Sequence, residues 1–556
     1  MGEDRERVGG TGTGRGAMWA GLIVGTAALV PRLMTASHDL LTTDENVWRM
    51  RTDRFGDAVL SGRFGDASAS LVSGLADGEA GTAKAVATMP GVVPMWLGVM
   101  ARGVWSVGRG LGLWAGSDST FVESPSGLNA AQAAVAVFTS VLVGVLVILV
   151  ARWLGLLPAV VSGLLVATEP FLVAHGAVFH TDELVALCGV TGLVACALAF
   201  GLPHRTPWRG RPLVAGLAGA LLAGAVLTKL SGVVLLVPAA LLVVWAAVAA
   251  VRARAPDVSP WAAVGWLRST IGWLVGVAVA VALVSYPALW ADPAEELRLL
   301  NNSANLADTG HIQFFLGEPT EHPGPAYYFV ALPLRVTPWF LVAGVAAGAL
   351  LWARAASRGT ALALAIMAVP YMVAISAASK QFDRYGLPVL VVGALAIGAA
   401  APVVVAAVRK RIGTDEPWSR RQLMFGRAVG GLLVVHAVVV APWGIAYFNP
   451  LLGGAETAER AILVGWGEEY DATEIVTRHR RGDCDGVTVA GFAAVSALGC
   501  GTPAIDWDTA DYVALYIAER QRMPDDDERA LVRGRPLVGE HTVQGIIYLQ
   551  VYGPRR

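Results

Sequence analysis

Long apolar runs separated by short polar stretches dominate the chain. Each run is close to the roughly 20 residues that an α-helix needs to cross the hydrocarbon core of a bilayer. The runs are almost free of charge and rich in Gly, Ala and Val, which is typical of helices that pack closely in lipid. The pattern predicts eleven membrane-spanning helices, at 17–36, 127–150, 155–174, 183–201, 212–227, 232–251, 269–288, 326–351, 360–378, 387–408 and 428–447.

Two long polar regions, 37–126 and 448–556, and a medium one, 289–325, interrupt or follow these runs. In the last of them, 486–498 is apolar enough for a strand or strand pair, and residues 542–552 alternate as one strand would. We therefore predict an all-α polytopic membrane protein with about eleven transmembrane helices, an outer-face loop domain and a small α+β C-terminal domain. Residues 1–16 form a tail, 17–447 the membrane domain and 448–556 the C-terminal domain.

The distribution of Lys and Arg predicts the orientation in the membrane. With the N-terminal tail in the cytoplasm, every loop that falls inside is basic, as the positive-inside rule requires. An odd number of spans then places the loops 37–126 and 289–325 and the C-terminal domain outside. The expected location is the plasma membrane. Residues 65–88 lack aromatic side chains and are rich in Gly, Ala and Ser, so we expect a flexible insertion there.

Composition narrows the class of protein. Of 556 residues, 55% are hydrophobic and 15% charged, against about 25% charged in soluble proteins. This excludes an ordinary cytosolic enzyme, a disordered chain and a basic nucleic-acid binder. Four cysteines exclude a disulfide-rich scaffold. Cys484 and Cys500 lie in the tail on the oxidising side, either as a disulfide or as free thiols.

Ionisable residues at the ends of spans are the most informative ones in a membrane protein, and here they gather on the predicted outer side. Asp44 and Glu45 follow the first span and could act as a general base and its support, or cap a helix over 46–60. His180 and Asp182 lie between two spans and fit a metal, a substrate contact or a helix cap.

The cations of this outer level suit an anion. Lys229 could pair with a phosphate or snorkel to the interface. Arg335 lies within a span between two prolines, where a cation is costly without a partner. Lys380, Asp383 and Arg384 fit a pocket for an anionic headgroup, with a simple surface ion pair as the alternative.

Together these residues form a pattern that resembles the membrane-embedded C-type glycosyltransferases, and most closely the protein O-mannosyltransferases and the aminoarabinose transferases of lipid A. The similarity runs over most of residues 20–470. Its motifs, in chain order, are Asp44-Glu45-x-x-Trp48; Arg54-Phe55 with Gly62-x-Phe64; Met89-Pro90-Gly91; His180-Thr181-Asp182; Lys229-Leu-Ser-Gly232; Trp290-x-Asp292-Pro293; Tyr327-Tyr328; Leu-Pro333-x-Arg335-x-Thr-Pro338; Lys380-x-x-Asp383-Arg384-Tyr385-x-x-Pro388; Tyr447-Phe448-Asn449-Pro450 with Gly453-Gly454; and Gly465-Trp466-Gly467-Glu468.

The resemblance implies transfer of a sugar, mannose or a related one, from a polyprenyl-phosphate donor to a hydroxyl acceptor on the outer face. The acceptor could be a protein, a glycan or a lipid. By the same resemblance Asp44 is the catalytic base and Glu45 follows it as in the mannosyltransferases. No metal ligand is assigned and no cofactor is certain; a divalent metal is left open. The donor phosphate is assigned to Lys380, Arg384, Arg335 and Lys229, and the substrate pocket to Arg54, His180, Asp182, Tyr327, Tyr328 and Asp383.

Two departures from the family pattern matter. Met89-Pro90-Gly91 stands where the family often has His-Pro-Pro, so a role for that histidine is lost. The mannosyltransferases carry a sugar-binding domain in a loop, whereas the extra domain of this chain follows the last span. This difference puts a protein as the acceptor in doubt. The alternative from another class is a transporter or flippase for a lipid-linked or envelope substrate. Transporters usually carry charges near mid-membrane on broken helices, whereas these spans are almost free of charge at that depth.

Overall fold

The spans predicted from the apolar runs are α-helices in the computed structural model, which describes residues 10–36, 42, 44–68, 90–113, 120–203, 211–252, 260–308, 311–412, 420–466, 472–491, 502–504 and 506–555. Seven of the described helices are long and apolar enough to cross a membrane, and shorter apolar helices occupy the other four predicted spans. The chain is therefore a multi-pass membrane protein. Most of the predicted insertion 65–88, Met89 and Cys500 lie outside the described residues.

The helices up to the second outer loop are α1 (Gly10–Ala36), α2 (Glu45–Leu60), α3 (Val92–Gly110), α4 (Pro125–Leu154), α5 (Leu156–Thr168), α6 (Pro170–His175), α7 (Asp182–Ala199), α8 (Pro212–Thr228), α9 (Leu236–Arg252) and α10 (Pro260–Ser285). The outer loop contains α11 (Ala288–Ala291), α12 (Pro293–Asp308) and the antiparallel hairpin of β1 (Gln313–Phe315) and β2 (Glu318–Thr320). The later membrane helices are α13 (Tyr327–Arg335), α14 (Pro338–Ala353), α15 (Arg358–Ala377), α16 (Leu387–Ile412) and α17 (Arg420–Val440).

Helix α7 lies at the centre of the bundle, and every one of its residues is buried. It packs against α4, α8 and α16. Its composition is apolar on all sides, as expected of a helix that is surrounded by other helices. The first residue of α7 is Asp182, so the central helix begins with a carboxylate at the level where the neighbouring spans end.

The span predicted at 326–351 is two helices, α13 and α14, which meet at Val336 and Thr337. Prolines on both sides explain the break, because a proline cannot donate the backbone hydrogen bond that a continuous helix needs. Glu169 satisfies the groups freed at the break: its carboxylate accepts from the Thr337 N–H at 2.6 Å and from the Thr337 hydroxyl at 2.8 Å. Arg335 is thereby held at the end of α13.

The C-terminal region contains helices α18 (Gly454–Ala461), α19 (Ala472–Arg480), α20 (Ile517–Arg522) and α21 (Asp525–Val532). Its strands are β3 (Thr488–Ala490), β4 (Thr502–Ala504), β5 (Tyr512–Tyr516), β6 (Leu537–Val543) and β7 (Ile546–Tyr552), in the sheet order β4-β3-β5-β7-β6. Strand β3 is parallel to β4 and β5, and β7 is antiparallel to β5 and β6. The mixture of strands and helices agrees with the α+β prediction.

The prediction of one strand over 542–552 was wrong, because a tight turn lies inside that range. Gln544 (φ 48°) and Gly545 (φ 90°) both have positive φ, and they connect β6 to β7 as a two-residue hairpin. The strand predicted to start at 486 is β3, and 492–500 lie outside the described residues. Cys484 is disulfide-bonded, whereas Cys188 and Cys196 are free and buried in α7.

Candidate active site

Asp182 binds cations from two other segments of the chain. Its carboxylate lies 2.5 Å from the Lys229 ammonium and 3.1 Å from Nε of Arg384, and the side chain is almost completely buried. Lys229 follows the last residue of α8, and Arg384 lies in the turn that leads into α16. Because all three residues are at ends of membrane helices, the bundle places them at one level.

His180 connects this centre to Asp44. Its Nδ1 lies 3.1 Å from the Asp182 carboxylate and its Nε2 lies 3.3 Å from the Asp44 carboxylate. The imidazole is buried, and burial alone would lower its pKa. The charges of both aspartates and the contacts with them raise the pKa of His180 instead. The result is a continuous cluster that runs from Asp44 through His180 and Asp182 to Lys229 and Arg384, called the outer cluster below after the side of the membrane on which the sequence predicts it.

Asp44 immediately precedes α2, as predicted, but its side chain does not cap that helix. It points to His180, and 43% of the side chain is exposed. Burial of part of the group would raise the pKa of Asp44, but the hydrogen bond and charge of His180 and the charge of Arg384 outweigh this and lower it. Asp44 is therefore an ionised carboxylate that is open on one side.

Glu45, the neighbour of Asp44, has a different environment. It is fully buried and accepts hydrogen bonds from the backbone N–H of Thr42 at 2.7 Å, from the Gln132 amide at 2.9 Å and from the backbone N–H of Phe179 at 2.7 Å. These bonds join the start of α2 to α4 and to the segment before His180. These bonds give Glu45 a structural function, since they join the segments that carry Asp44 and His180.

Aromatic rings hold the cations of the cluster. The Arg384 guanidinium lies between the rings of Phe382 and Trp466, at 4.1 and 4.2 Å from their centroids. The Lys229 ammonium lies 4.0 Å above the ring of Tyr385. Contacts of this kind attract a cation to the face of a ring and fix its position without neutralising it.

A second ion pair lies beside the outer cluster. Nε of Arg335 is 2.6 Å from the Asp383 carboxylate, and its NH1 group donates to the carbonyl of Ile445 at 2.5 Å. Both side chains are buried. The alternative surface pairs of Asp383 with Lys380 or with the Arg384 side chain are not formed, because Asp383 pairs with Arg335 and Arg384 with Asp182.

A small cavity of about 40 Å³ is lined by both members of the Arg335–Asp383 pair and by Arg384 of the outer cluster. Sites for drug-sized ligands measure several hundred Å³, so the cavity is large enough only for a small group. The residues that line it are Phe171, His175, Gln313, Tyr327, Arg335, Phe382, Asp383, Arg384, Ile445, Leu463, Gly465, Trp466 and Arg522.

The other predicted site residues lie near the cluster or outside it. Tyr327 lines the cavity and packs edge-to-face on Tyr328, and both rings are buried. The Lys380 ammonium is 5.7 Å from the ring centroid of Phe382, on the rim of the site. Arg54 is half-buried on α2 and is not a member of the ion pairs of the outer cluster.

The described residues contain no group of three or more His, Cys, Asp or Glu side chains arranged to hold a metal ion. In the outer cluster each ring nitrogen of His180 faces a carboxylate, Nε2 that of Asp44 and Nδ1 that of Asp182. Asp182 is in turn bound to the Lys229 ammonium. The metal alternative for His180 and Asp182 therefore finds no support in this arrangement of side chains.

Among the cavity residues that were not predicted are two polar ones, Gln313 of the outer loop and Arg522 of the C-terminal region. Neither belongs to a motif of the sequence, and each reaches the cavity only because β1 and α20 fold over it. Glu169 was also not predicted, although a carboxylate beside a proline in an apolar run is a signal for a buried acceptor.

The fold is that of a solved membrane enzyme. The crystal structure of ArnT from Cupriavidus metallidurans in the apo state superimposes with a TM-score of 0.51 at 14% identity, covering 96% of this chain and 97% of that one. The chain has the C-type glycosyltransferase fold. The same protein bound to undecaprenyl phosphate gives a TM-score of 0.49, again at 14% identity with 96% of this chain and 97% of that one covered.

More distant is the oligosaccharyltransferase AglB from Archaeoglobus fulgidus, in complex with an inhibitory peptide and a dolichol-phosphate, at 12% identity and a TM-score of 0.45, with 97% of this chain and 74% of that one covered. No protein-family model and no curated protein matches the sequence. At 14% identity, the superposition on the apo ArnT structure shows the shared fold alone and leaves the activity to be argued from the site.

Proposed function

We propose that the protein transfers a sugar from a polyprenyl-phosphate lipid donor to a hydroxyl acceptor on the outer face of the membrane. One observation carries the proposal. An ionised, partly open carboxylate, Asp44, and the buried cations Lys229 and Arg384 belong to a single cluster that is assembled from four separate segments of the chain. A base and a phosphate site in one cluster are what such a transfer requires.

The cations act on the leaving group. As the bond between the anomeric carbon and the phosphate oxygen breaks, the electron pair goes to the oxygen and the polyprenyl phosphate gains negative charge. Cations in fixed positions stabilise that charge more in the transition state than in the ground state. Arg384 is held between two aromatic rings, so it needs little reorganisation when the charge develops.

The carboxylate acts on the acceptor. The acceptor oxygen forms a new bond to the anomeric carbon, and its proton passes to a base that must be ionised and within reach. Asp44 meets both conditions, because the neighbouring His180 and Arg384 lower its pKa and almost half of its side chain is exposed. One displacement without a covalent intermediate gives inversion at the anomeric carbon.

The residues of the site do not indicate which sugar is transferred. Mannose follows from the sequence resemblance alone, and the acceptor could be a protein, glycan or lipid hydroxyl. The decisive test uses purified protein in liposomes with labelled polyprenyl-phosphate sugars and an envelope extract as acceptor. We expect release of free polyprenyl phosphate together with a labelled product of inverted anomeric configuration. No release from any donor of this class would refute the proposal.

Two substitutions test the phosphate site. Arg384→Ala and Lys380→Ala should each weaken donor binding, with the larger effect for Arg384 because it is buried against Asp182 whereas Lys380 lies on the rim. Arg358→Ala, at the exposed start of α15, is the matched control. Unchanged donor dissociation constants for both variants would count against the phosphate site.

The alternative is a transporter or flippase, which would share the break between α13 and α14 with its neighbouring cation. The liposome experiment separates the two functions. A transporter moves the labelled lipid between leaflets with its sugar–phosphate bond intact, whereas a transferase cleaves that bond.

A further inference from the structure

The C-terminal region lines the cavity with the segment from Leu463 to Trp466 and with one short helix, α20. Gln521 of this helix accepts from the Val464 N–H at 2.8 Å and donates to the carbonyls of Glu459 and Ile462 at 2.6 and 2.9 Å. These bonds fix α20 to the segment that leads to Trp466, the residue that covers Arg384. The next residue, Arg522, lines the cavity together with Arg335 and Arg384.

Arg522 has no strong partner of its own among the described residues. Its Nε is buried without a hydrogen-bond acceptor, and none of the ion pairs described in the structure includes it. Burial lowers the pKa of Arg522 to about 10, with Arg384 lowering it and Glu519 raising it to lesser extents. The guanidinium therefore stays charged at neutral pH and faces a cavity.

The cavity has an excess of positive charge. Among its lining residues, Arg335, Arg384 and Arg522 are cations, and Asp383 is the carboxylate that faces them. Burial lowers the pKa of His175 to about 3, so its imidazole is neutral. Asp182 also pairs with Arg384, but the charge of Lys229, its other partner, offsets that of Asp182. The excess of positive charge in the cavity is therefore unchanged. The balance of about two positive charges matches the dianion of polyprenyl phosphate, the monoester that the donor phosphodiester becomes when its sugar is transferred.

One residue of the cavity wall, Gln313, supports an anionic or polar ligand at this place. Gln313 of β1 is completely buried in the cavity wall, and both polar atoms of its amide lack hydrogen-bond partners among the described residues. An amide buried in this way is costly unless a ligand satisfies it.

We infer that Arg522, supplied by the C-terminal region, is a further guanidinium for the phosphate of the lipid-linked donor, in the cavity that Arg384 and Gln313 also line. The inference rests on the proposed function and deepens it, because it makes the C-terminal region part of the donor site. A phosphate held by two guanidinium groups accepts several charge-assisted hydrogen bonds from fixed directions.

The test is direct binding of undecaprenyl phosphate, without sugar, to the purified full-length protein. Arg522→Gln should weaken binding about tenfold or more, as expected for the loss of a hydrogen bond to a charged group, and Arg522→Lys should recover part of it. Arg520→Gln is the matched control. Arg520 belongs to the same helix but pairs with Glu528 at 3.3 Å, away from the cavity, so its change should leave binding within about twofold.

The outcomes separate this inference from the proposed function. If the wild-type protein does not bind undecaprenyl phosphate, the proposed function fails. If the wild type binds, Arg384→Gln weakens binding and Arg522→Gln does not, only the role of Arg522 is overturned. A rise in acceptor KM for Arg522→Gln with unchanged lipid-phosphate binding would also overturn it, since Arg522 would then contact an anionic acceptor. Thermal unfolding of each variant identifies any that is misfolded.

Discussion

Two Asp-Glu pairs in this chain, Asp44-Glu45 and Asp182-Glu183, show how neighbouring carboxylates separate into different environments. In each pair the aspartate belongs to the outer cluster. The glutamate points into the protein: Glu45 is bonded to Gln132 and two backbone N–H groups, and Glu183 lies 4.0 Å from the buried Arg32. Adjacent residues at the start of a helix point about 100° apart, so only one of them can face the site.

Residues that are adjacent in the sequence therefore need not share a function. The two aspartates both contact the ionisable imidazole of His180. Glu45 instead accepts hydrogen bonds that join α2, α4 and the segment before α7. Substitutions at the two kinds of position should therefore differ in what they damage.

Asp182→Asn should produce the largest loss of stability. It removes the carboxylate that Lys229 and Arg384 share, and leaving buried cations without their partner costs about 3–5 kcal/mol. Chemical unfolding in detergent measures the effect. The control is Asp57→Asn, whose exposed pair with Arg102 should contribute at most about 1 kcal/mol. If both variants lose the same stability, the buried cluster has no special structural role.

Glu45→Gln should destabilise the protein by about 1–3 kcal/mol, because an amide cannot accept all three hydrogen bonds that the carboxylate accepts. The variant that still folds should retain sugar transfer. Glu295→Gln, in an exposed pair with Arg298, is the control and should leave the unfolding free energy almost unchanged. Loss of transfer at unchanged stability would show that Glu45 acts in the chemistry.

The pairing of His180 with two aspartates should make stability depend on pH. Its folded pKa is raised, so its contribution is complete below the unfolded value of about 6.5 and is lost as the pH rises through the folded pKa. The lowered pKa of Asp44 acts at the other end, and its contribution is lost only as the pH falls below about 4.

We therefore expect the thermal unfolding temperature to fall as the pH rises above about 6.5, and this part of the curve to flatten in His180→Gln. His322→Gln removes an exposed histidine of the outer loop and should leave the curve unchanged. An identical pH dependence in wild type and His180→Gln would contradict the cluster.

Much of the membrane domain could be predicted because each span is encoded locally. A run of apolar residues identifies a helix without reference to its neighbours, and all eleven predicted spans contain helices. The break at Val336 and Thr337 was also readable, since Pro333 and Pro338 flank it. The hairpin turn at Gln544 and Gly545 was missed because the alternating pattern continues across it.

The partners of the site residues could not be predicted in the same way. Hydropathy shows that Lys229, Asp182 and Arg384 lie at ends of spans, but not that these ends meet. The same limit applies to Arg335 and Asp383, which are 48 residues apart in the chain. Arg522 illustrates the extreme case, because its position in the cavity depends on how the C-terminal region packs against the outer loop.

The role of Asp44 as the base is tested most directly by comparing Asp44→Asn with Glu45→Gln in the same liposomes, with labelled polyprenyl-phosphate sugar as donor. We expect Asp44→Asn to bind the donor as the wild type does but to transfer sugar about 10²–10⁴-fold more slowly, as for the loss of a general base. Folded Glu45→Gln should keep a rate close to that of the wild type. Near-normal transfer by Asp44→Asn would show that Asp44 is not the base of the reaction.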